Sequence, residues 1–273
     1  MKKVFILLIF FFVLVSCDNS NNPKEDSKSH RRKTVIPNIE YNLKQTHPHD
    51  ITSFTEGFEF YENKLFESTG SPENLPFTNS LFGVVDLNNG KISELGRLDK
   101  NIYFGEGITL LDGKLFQLTY LSQTCFVYDA QSFKPIGSFK YENKEGWGLT
   151  TDGEFLIMSD GTNVLTYLNP DNFQVARKLN VTQNRYVVDY LNELEFIKGY
   201  IYANIWTKNH IVKIDTSSGN VVGILNLNPF FEEAKNTNPG IGVMNGIAYD
   251  SISSNLFITG KLWPFIFELD FYH

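Results

Sequence analysis

Cysteine is scarce in this chain. The 273 residues include two cysteines, Cys17 and Cys125, and the phrase around the second, TCFVYD, alternates like a β-strand. Two cysteines cannot build the framework of bridges that holds a small secreted domain together. We therefore expect a hydrophobic core, without disulfides, to stabilise this fold.

Histidine and positive charge are also limited. The histidines are His30, His47, His49, His210 and His273, and none has the spacing of a zinc motif, which disfavours a zinc hydrolase. We predict no metal ion and no cofactor, and we interpret His49, before Asp50, as a turn cap. Acidic residues exceed basic ones by 31 to 24, and no basic patch is evident, so no nucleic-acid partner is expected.

The chain also lacks an apolar run long enough to span a bilayer. Lys2 and Lys3 precede an apolar stretch at residues 4–15, about twelve residues, whereas a membrane helix needs roughly twenty. The following LVSC resembles the bacterial lipoprotein signal, in which the cysteine, here Cys17, carries lipid. An ordinary secretory signal with a chance cysteine is the alternative.

These features predict a chain of three parts. Residues 1–16 would be a signal peptide, residues 17–33 a lipidated cysteine with a flexible polar tether, and residues 34–273 the folded domain. The protein is expected in the bacterial cell envelope, anchored to a membrane by lipid, either periplasmic or exposed at the surface. Asp18 resembles an inner-membrane retention signal of some bacteria, so the leaflet stays open.

One short phrase recurs five times in the predicted domain. Each copy indicates a strand, a tight turn and a second strand, and the copies begin at Phe54, Phe104, Glu145, Leu191 and Met244. The turns are predicted at Glu62-Asn63, Asp112-Gly113, Asp152-Gly153, Lys198-Gly199 and Ser253-Ser254. Third and fourth strands follow, and no helical periodicity of comparable length competes. Four short antiparallel strands repeated every 41 to 53 residues are typical of propeller blades.

The fifth copy ends after its third strand, at His273. The segment VIPNIEYNL, residues 35–43, has strand character and precedes the first blade, so it can supply the missing strand. The predicted fold is all-β: a five-bladed β-propeller of four-stranded antiparallel blades, the last closed by an N-terminal strand. An open sandwich would leave strand edges unpaired. A monomer is expected for a closed propeller.

One aligned position varies among the five copies. It holds Glu56, Glu106, Trp147, Asn192 and Asn245. Residues equidistant from a hairpin turn lie side by side, which predicts the pairs Glu56 with Gly70, Glu106 with Tyr120, Trp147 with Asp160, Asn192 with Trp206 and Asn245 with Lys261. Because the innermost strands line a propeller's channel, these side chains should converge at one mouth, in an aromatic-walled cup suited to a small ligand.

Ten motifs resemble those of a known family. FTEG, LFESTG, FGEGIT, LFQLT, EGWGL, MSDGT, NELE, ANIW, NGIAYD and TGKLWP occur in this order over about residues 47–270. They resemble the plant-type glutaminyl-peptide cyclotransferases, also called glutamine cyclotransferases, which also occur in bacteria. The resemblance implies a five-bladed propeller that converts the N-terminal glutamine of peptides or proteins to pyroglutamate and releases ammonia, without a catalytic metal.

The same resemblance implies roles for single residues. Glu106 matches the glutamate proposed as the family's acid and base, and Lys261 or Asn192 would stabilise the oxyanion. The predicted substrate-binding residues are Phe54, Glu56, Phe104, Tyr120, Trp147, Asp160, Trp206 and Asn245. Glu56 and Tyr120 depart from the family pattern, which has glutamine and tryptophan there. Repulsion between Glu56 and Glu106 would raise the pKa of one carboxyl, which either helps proton return or impairs the base.

Two other functions stay open from the sequence. A calcium-dependent, lactonase-like propeller would use a ring of acidic and asparagine side chains, which Glu56, Glu106, Asn192 and Asn245 imitate. A non-catalytic lipoprotein would use the same mouth to bind peptides or glycans. Calcium dependence of an activity would indicate the first, and binding without ammonia release would indicate the second.

Overall fold

The computed structural model describes residues 35–272, which form a ring of five four-stranded antiparallel sheets. This confirms the predicted all-β, five-bladed propeller. The predicted signal peptide, Cys17 and the tether lie outside the described residues. Within the described range, no helix is both long and apolar enough to cross a bilayer.

The blades follow one another along the chain after the N-terminal strand β1 (Tyr41–Pro48). Blade 1 contains β2 (Thr55–Tyr61), β3 (Lys64–Thr69), β4 (Leu81–Val85) and β5 (Ile92–Arg97). Blade 2 contains β6 (Gly105–Leu111), β7 (Lys114–Thr119), β8 (Thr124–Asp129) and β9 (Pro135–Lys140). Blade 3 contains β10 (Leu149–Thr151), β11 (Leu156–Met158), β12 (Val164–Leu168) and β13 (Val175–Asn180), and a small hairpin of β14 (Thr182–Gln183) and β15 (Tyr186–Val187) follows it.

Blade 4 contains β16 (Leu191–Ile197), β17 (Tyr200–Ile205), β18 (His210–Asp215) and β19 (Val221–Asn226). The helix α1 (Asn228–Thr237) leads to blade 5, which contains β20 (Met244–Asp250), β21 (Asn255–Gly260), β22 (Phe265–Phe271) and β1. The helix was not anticipated from the sequence. It buries Phe230 and Ala234, and the Phe230 ring lies 4.6 Å from that of Phe267, so α1 covers the core between blades 4 and 5.

The last blade is closed by the N-terminal strand, as predicted, but the strand lies further along the chain. β1 pairs with β22 along its whole length, whereas the prediction placed the strand at residues 35–43. Before β1, the amide of Ile39 donates to the carbonyl of Ile224 on the outer strand of blade 4, at 2.8 Å. Pro37 has no amide proton, which suits this segment to a sheet edge. The N-terminal segment therefore joins blades 4 and 5.

The hydrophobic core consists of clusters that each lie between two neighbouring blades. The cluster that completes the ring brings Phe58 and Leu65 of blade 1 against Phe257 and Ile266 of blade 5. Each blade thus packs on both faces. This explains why an inner strand such as β6 is buried at every position.

Two-residue turns join the two inner strands of blades 1, 2 and 4 at the predicted positions, whereas four residues that include the predicted ones join those of blades 3 and 5. Asn63, Gly113 and Gly199 have φ values of 63°, 72° and 87°, and the residues before them are also left-handed. Positive φ at both central residues is the type I′ geometry, whose twist matches that of the flanking strands. The turn residues of the repeated phrase therefore fix where each hairpin reverses.

Carboxyl groups on the inner strands bind the backbone of other inner strands. Glu59 of β2 accepts a hydrogen bond from the amide of Leu110 at 3.1 Å. Glu193 of β16 accepts from the amides of Phe58 at 3.2 Å and Ile247 at 2.8 Å, in two other blades. Inner strands of different blades share no ladder, so these side chains satisfy amides that would otherwise be unpaired.

These channel carboxyls are buried together. Glu195 accepts from the amide of Tyr249 at 2.9 Å, and its charge acts on Glu193. Burial raises the pKa of Glu59 to about 8, and it raises the pKa values of Glu193 and Glu195 well above the usual range, with repulsion between the carboxyls as a second cause. All three carboxyls therefore hold their protons more strongly than an exposed glutamate does.

Candidate active site

The variable position of the repeat lies at a register shift in four of the five inner strands. The ladder shifts by one residue at Glu56, between Gly105 and Ile108, between Leu191 and Leu194, and between Met244 and Ile247. A β-bulge of this kind re-aims a side chain and interrupts pairing. Neighbouring inner strands also come very close here: a Cβ on Gly148 would lie 2.2 Å from the carbonyl oxygen of Asn192.

In the four blades with a bulge, the predicted cross-hairpin pairs are wrong. Tyr120 lies opposite Phe104 and not Glu106, because its amide donates to the Phe104 carbonyl at 3.0 Å. The backbone bonds likewise place Gly70 opposite Phe54, Trp206 opposite Tyr190 and Lys261 opposite Val243. In blades 1, 2 and 4, a two-residue turn and the extra residue of the bulge together account for the displacement.

Blade 3 has no such shift. The pairing of Leu149 with Met158, continued along the strands, leads to the predicted pair of Trp147 and Asp160, and the amide of Trp147 donates to the carbonyl of Ser159.

The predicted site residues nevertheless line one cavity of about 860 Å³. Those that line it are Phe54, Glu56, Phe104, Glu106, Tyr120, Trp147, Asp160, Asn192, Trp206 and Lys261. Asn245 does not. It is fully buried, and its side-chain nitrogen donates to the carbonyl of Thr55 at 3.0 Å and to Oε2 of Glu56 at 3.3 Å. Asn245 therefore supports Glu56 from behind the cavity wall.

Three charged side chains meet at the base of the cavity. Nζ of Lys261 lies 2.8 Å from both carboxylate oxygens of Glu56, and both side chains are almost fully buried. A side-chain hydrogen bond joins Glu56 to Glu106, and the Lys261 ammonium lies 4.6 Å from the centre of the Phe54 ring. Lysine, two glutamates and an aromatic face thus form one buried network.

The two carboxyls of this network hold their protons unequally. Burial raises the pKa of Glu56, although Lys261 opposes the shift by attraction and hydrogen bonding. Burial and the negative charge of Glu56 raise the pKa of Glu106 well above its usual range. Glu106 is therefore the carboxyl of the pair that holds its proton more strongly, which makes it a candidate acid as well as a candidate base.

Two groups of three aromatic rings line the cavity. Phe104 packs between Phe54, at 6.1 Å between ring centres, and Tyr120, at 5.9 Å. Trp206 packs against Trp147 at 6.0 Å and against Tyr190 at 5.8 Å. We call these six residues the aromatic wall. Edge-on contacts between the rings hold their orientation, and the wall offers an apolar surface to a bound side chain.

Glu145 is a cavity residue that the sequence analysis did not assign. Its Oε2 accepts a hydrogen bond from the indole nitrogen of Trp147 at 2.8 Å. It also bonds the hydroxyl of Tyr120, whose pKa is raised by burial and by Glu145. In the repeat, Glu145 stands two positions before the variable residue, where other copies have Phe54 and Phe104. This second aligned position is the feature of the sequence from which Glu145 could have been predicted as a cavity residue.

Asn192 and Asp160 occupy different settings. The side-chain oxygen of Asn192 is buried and has no hydrogen-bond partner among the described residues, so it can accept from a bound ligand. The carboxylate of Asp160 instead accepts from Asn143 at 2.8 Å and from the Thr162 hydroxyl at 2.5 Å. Asp160 thus orders a loop at the rim.

Two histidines have structural partners. His49, predicted as a turn cap, is instead buried, and its ring nitrogens bond the carboxylate of Glu67 at 3.1 Å and the carbonyl of Trp263 at 2.9 Å. His47 bonds Glu268 at 2.9 Å. Among residues 35–272, no group of three or more His, Cys, Asp or Glu side chains is arranged to hold a metal ion.

Comparison with known proteins identifies the family of this site. The family model described as glutamine cyclotransferase matches residues 12–271. The chain belongs to the glutamine cyclotransferase family. It is 38% identical over 265 residues to a glutaminyl-peptide cyclotransferase of Arabidopsis thaliana, an alignment that covers 96% of this chain and 79% of the plant protein.

A solved structure of the family has the same architecture. The crystal structure of Myxococcus xanthus glutaminyl cyclase matches with a TM-score of 0.77 and 30% identity, over 87% of this chain and 98% of that one. Family membership and fold, first inferred from the ten motifs and the repeat, are thus confirmed by sequence and by structure.

Proposed function

We propose that this protein cyclises the N-terminal glutamine of peptides or proteins to pyroglutamate and releases ammonia. The observation that carries the proposal is the buried Glu106, whose pKa is raised well above its usual range, at the base of an aromatic cavity in a chain of the glutamine cyclotransferase family. The cavity of about 860 Å³ has room for residues that follow the glutamine, which suits a peptide substrate.

Positioning supplies much of the catalysis in this reaction. The α-amine and the amide carbon belong to one residue, so the enzyme must mainly hold a folded-back conformer in which the two meet. The aromatic wall encloses the glutamine side chain and excludes water. The amine has a pKa of about 7.7 to 8.0, so part of it is already neutral and nucleophilic at physiological pH.

Glu106 moves the protons. As the amine nitrogen bonds the amide carbon, Glu106 donates its proton to the departing nitrogen and takes the proton that the former amine gives up. Asn192 accepts a hydrogen bond from the substrate through its unpartnered oxygen. The Lys261 ammonium stabilises negative charge on the amide oxygen with a hydrogen that it does not use for Glu56.

The variant Glu106→Gln tests this assignment. Glutamine keeps the shape of the side chain but has no transferable proton, so kcat should fall by about 10²- to 10⁴-fold. The measurement is ammonia release from a Gln-initiated peptide, with loss of one ammonia confirmed by mass spectrometry. The same peptide with an acetylated amine is the control and should release none. Unchanged turnover by Glu106→Gln would remove Glu106 from the mechanism.

We also propose that the protein is a monomer, anchored by lipid on Cys17 in a bacterial cell envelope. The supporting observations are the short apolar run and the LVSC sequence. In bacteria expressing the full chain, labelled fatty acid should enter the protein, and Cys17→Ser should abolish both labelling and membrane retention. Equal labelling of the variant would contradict the anchor. Light scattering of the purified protein tests the monomer.

A further inference from the structure

A second carboxyl lies beside Glu106, and the cyclisation proposed above does not use it. Glu56 is only 2% exposed. Its oxygens bond Lys261 at 2.8 Å and Asn245 at 3.3 Å, and a further hydrogen bond joins it to Glu106. Glutamine would satisfy Asn245 and Glu106 equally well without adding a buried charge. The negative charge of Glu56 therefore calls for an explanation.

The contact between the two carboxyls, beside the Lys261 ammonium, favours one shared proton. Two ionised carboxylates have acceptors only, so a hydrogen bond between Glu56 and Glu106 forms when one of them is protonated. Lys261 contacts both oxygens of Glu56 and favours the negative charge there. The proton therefore resides on Glu106, which donates it to Glu56 in the resting enzyme.

We propose that Glu56 and Glu106 act as one acid–base unit that shares a single proton, in which Glu106 exchanges the proton with substrate and Glu56 is its proton-holding partner. This inference rests on the cyclisation proposed above. The amine nitrogen bonds the amide carbon, the bond from that carbon to the amide nitrogen breaks, and Glu106 protonates the departing ammonia. Glu106 then takes one proton from the former amine nitrogen, so the unit ends with the proton it began with.

Glu56 makes Glu106 a stronger base in the second half of this cycle. Once Glu106 has given up its proton, two adjacent carboxylates repel each other, and uptake of the amine proton relieves that repulsion. Lys261 limits the repulsion enough for the ionised pair to form. Glu56 thus acts through Glu106 and sets the pH range over which Glu106 works.

Few other charged or titratable groups lie around the pair of Glu56 and Glu106. Glu145, on the chain before β10, acts on Glu106 through its charge and also bonds Tyr120. Glu193 of β16 reaches the backbone of β2 at Phe58. The remaining titratable or charged side chains that line the cavity are Glu73, Lys100, Tyr103, Asp160 and Tyr190.

The variant Glu56→Gln tests the proposal in the full-length protein. Glutamine removes one negative charge and leaves Lys261 uncompensated, and both effects let Glu106 lose its proton at lower pH. The alkaline limb of the pH profile of kcat should move to lower pH by about one unit or more. The wild-type to variant ratio of kcat should therefore grow with pH. An alkaline limb that stays in place, or moves to higher pH, would overturn the proposal.

Two variants serve as controls. Glu56→Asp keeps the charge, so its alkaline limb should stay near that of the wild type even if kcat falls. Glu73→Gln removes another carboxyl that lines the same cavity, and it should leave the alkaline limb in place even if KM changes. A shift in Glu73→Gln equal to that of Glu56→Gln would mean that cavity charge in general sets the profile, which contradicts a specific unit.

An infrared titration tests the shared proton without turnover. The difference spectrum of wild type minus Glu106→Gln should show a protonated carboxyl band at neutral pH, and in the Glu56→Gln background that band should titrate at lower pH. Absence of the band in wild type would overturn the pair. If the band behaves as expected but no Gln-initiated peptide releases ammonia, the proposed function fails while the proton-sharing pair stands.

Discussion

At the scale of single residues, the site depends on side chains that hold other side chains. Asn245 supports Glu56 from behind, and Glu145 links Trp147 to Tyr120. Aligning the repeats predicted the residues that line the cavity, because the repeat brings equivalent positions to one end of the ring. The alignment did not predict that Asn245 supports Glu56 from behind the cavity wall. Whether a side chain points into the cavity or behind its wall depends on the local geometry of the bulge, which the alignment does not show.

The variant Glu145→Ala should weaken substrate binding. Without the carboxylate, the indole of Trp147 and the hydroxyl of Tyr120 lose their shared partner, and the aromatic wall loses its fixed orientation. We expect KM for a Gln-initiated peptide to rise by about 3- to 10-fold, as for the loss of one to two hydrogen bonds. Initial-rate kinetics measure this, and Glu145→Gln, which keeps one acceptor oxygen, should show a smaller rise. An unchanged KM in Glu145→Ala would contradict the positioning role.

At the scale of elements, turns and strand order followed from the sequence, and register did not. The left-handed turns at Asn63 and Gly113 appear in the sequence as Asn and Gly at the reversal of those hairpins. The bulges leave a weaker signal, the glycine after Glu56 and after Glu106, which symmetric pairing ignored. α1 is too short and too polar for its periodicity to stand out, and tertiary contact through Phe230 stabilises it.

The ion pair between His49 and Glu67 connects the chain directly after β1 to β3 of blade 1. Burial works against the charged imidazole of His49, but the charge and hydrogen bond of Glu67 outweigh it, and the pKa of His49 is raised. A raised histidine pKa adds stability that is complete below the unfolded value of about 6.5 and is lost as pH rises through the folded value. His49 thus stabilises the junction most in mild acid.

The variant His49→Gln should therefore destabilise the protein in a pH-dependent way. Removing one partner of a buried pair costs about 3 to 5 kcal/mol. Urea unfolding at a series of pH values should give the largest difference from wild type below about pH 6.5, and the difference should narrow as pH rises. His210→Gln is the control, since burial lowers the pKa of His210 and its contribution is instead lost as pH falls. A constant difference would mean that His49 is not charged in the fold.

At the scale of the whole molecule, carboxyls with raised pKa values occupy the centre of the ring. A carboxyl whose folded pKa is raised contributes stability that is complete below its unfolded pKa and is lost as pH rises through its folded pKa. Burial raises the pKa of Glu59 to about 8, and it shifts the pKa values of Glu193 and Glu195 in the same direction. These carboxyls therefore contribute most to the free energy of unfolding in mildly acidic conditions, and their contribution decreases as pH rises.

The variant Glu59→Gln should remove part of this loss of stability at higher pH. Its Tm should match that of wild type near pH 5 and exceed it at pH 8, by roughly 2 to 4 °C for each kcal/mol recovered. Thermal unfolding followed by circular dichroism at both pH values measures this. A lower Tm for the variant at pH 8 would show that Glu59 is bound there as a carboxylate.

The junction of β1 with β22 also sets the order in which the molecule can be completed. Its two strands lie at opposite ends of the described chain, so this pairing has the greatest loop to close. During synthesis, blades 1 to 4 can form while the ring is still an open arc, because β22, the partner of β1, follows them in the chain. Closure is then a late, non-local and slow step, and until it occurs the arc exposes two unpaired ends to other chains.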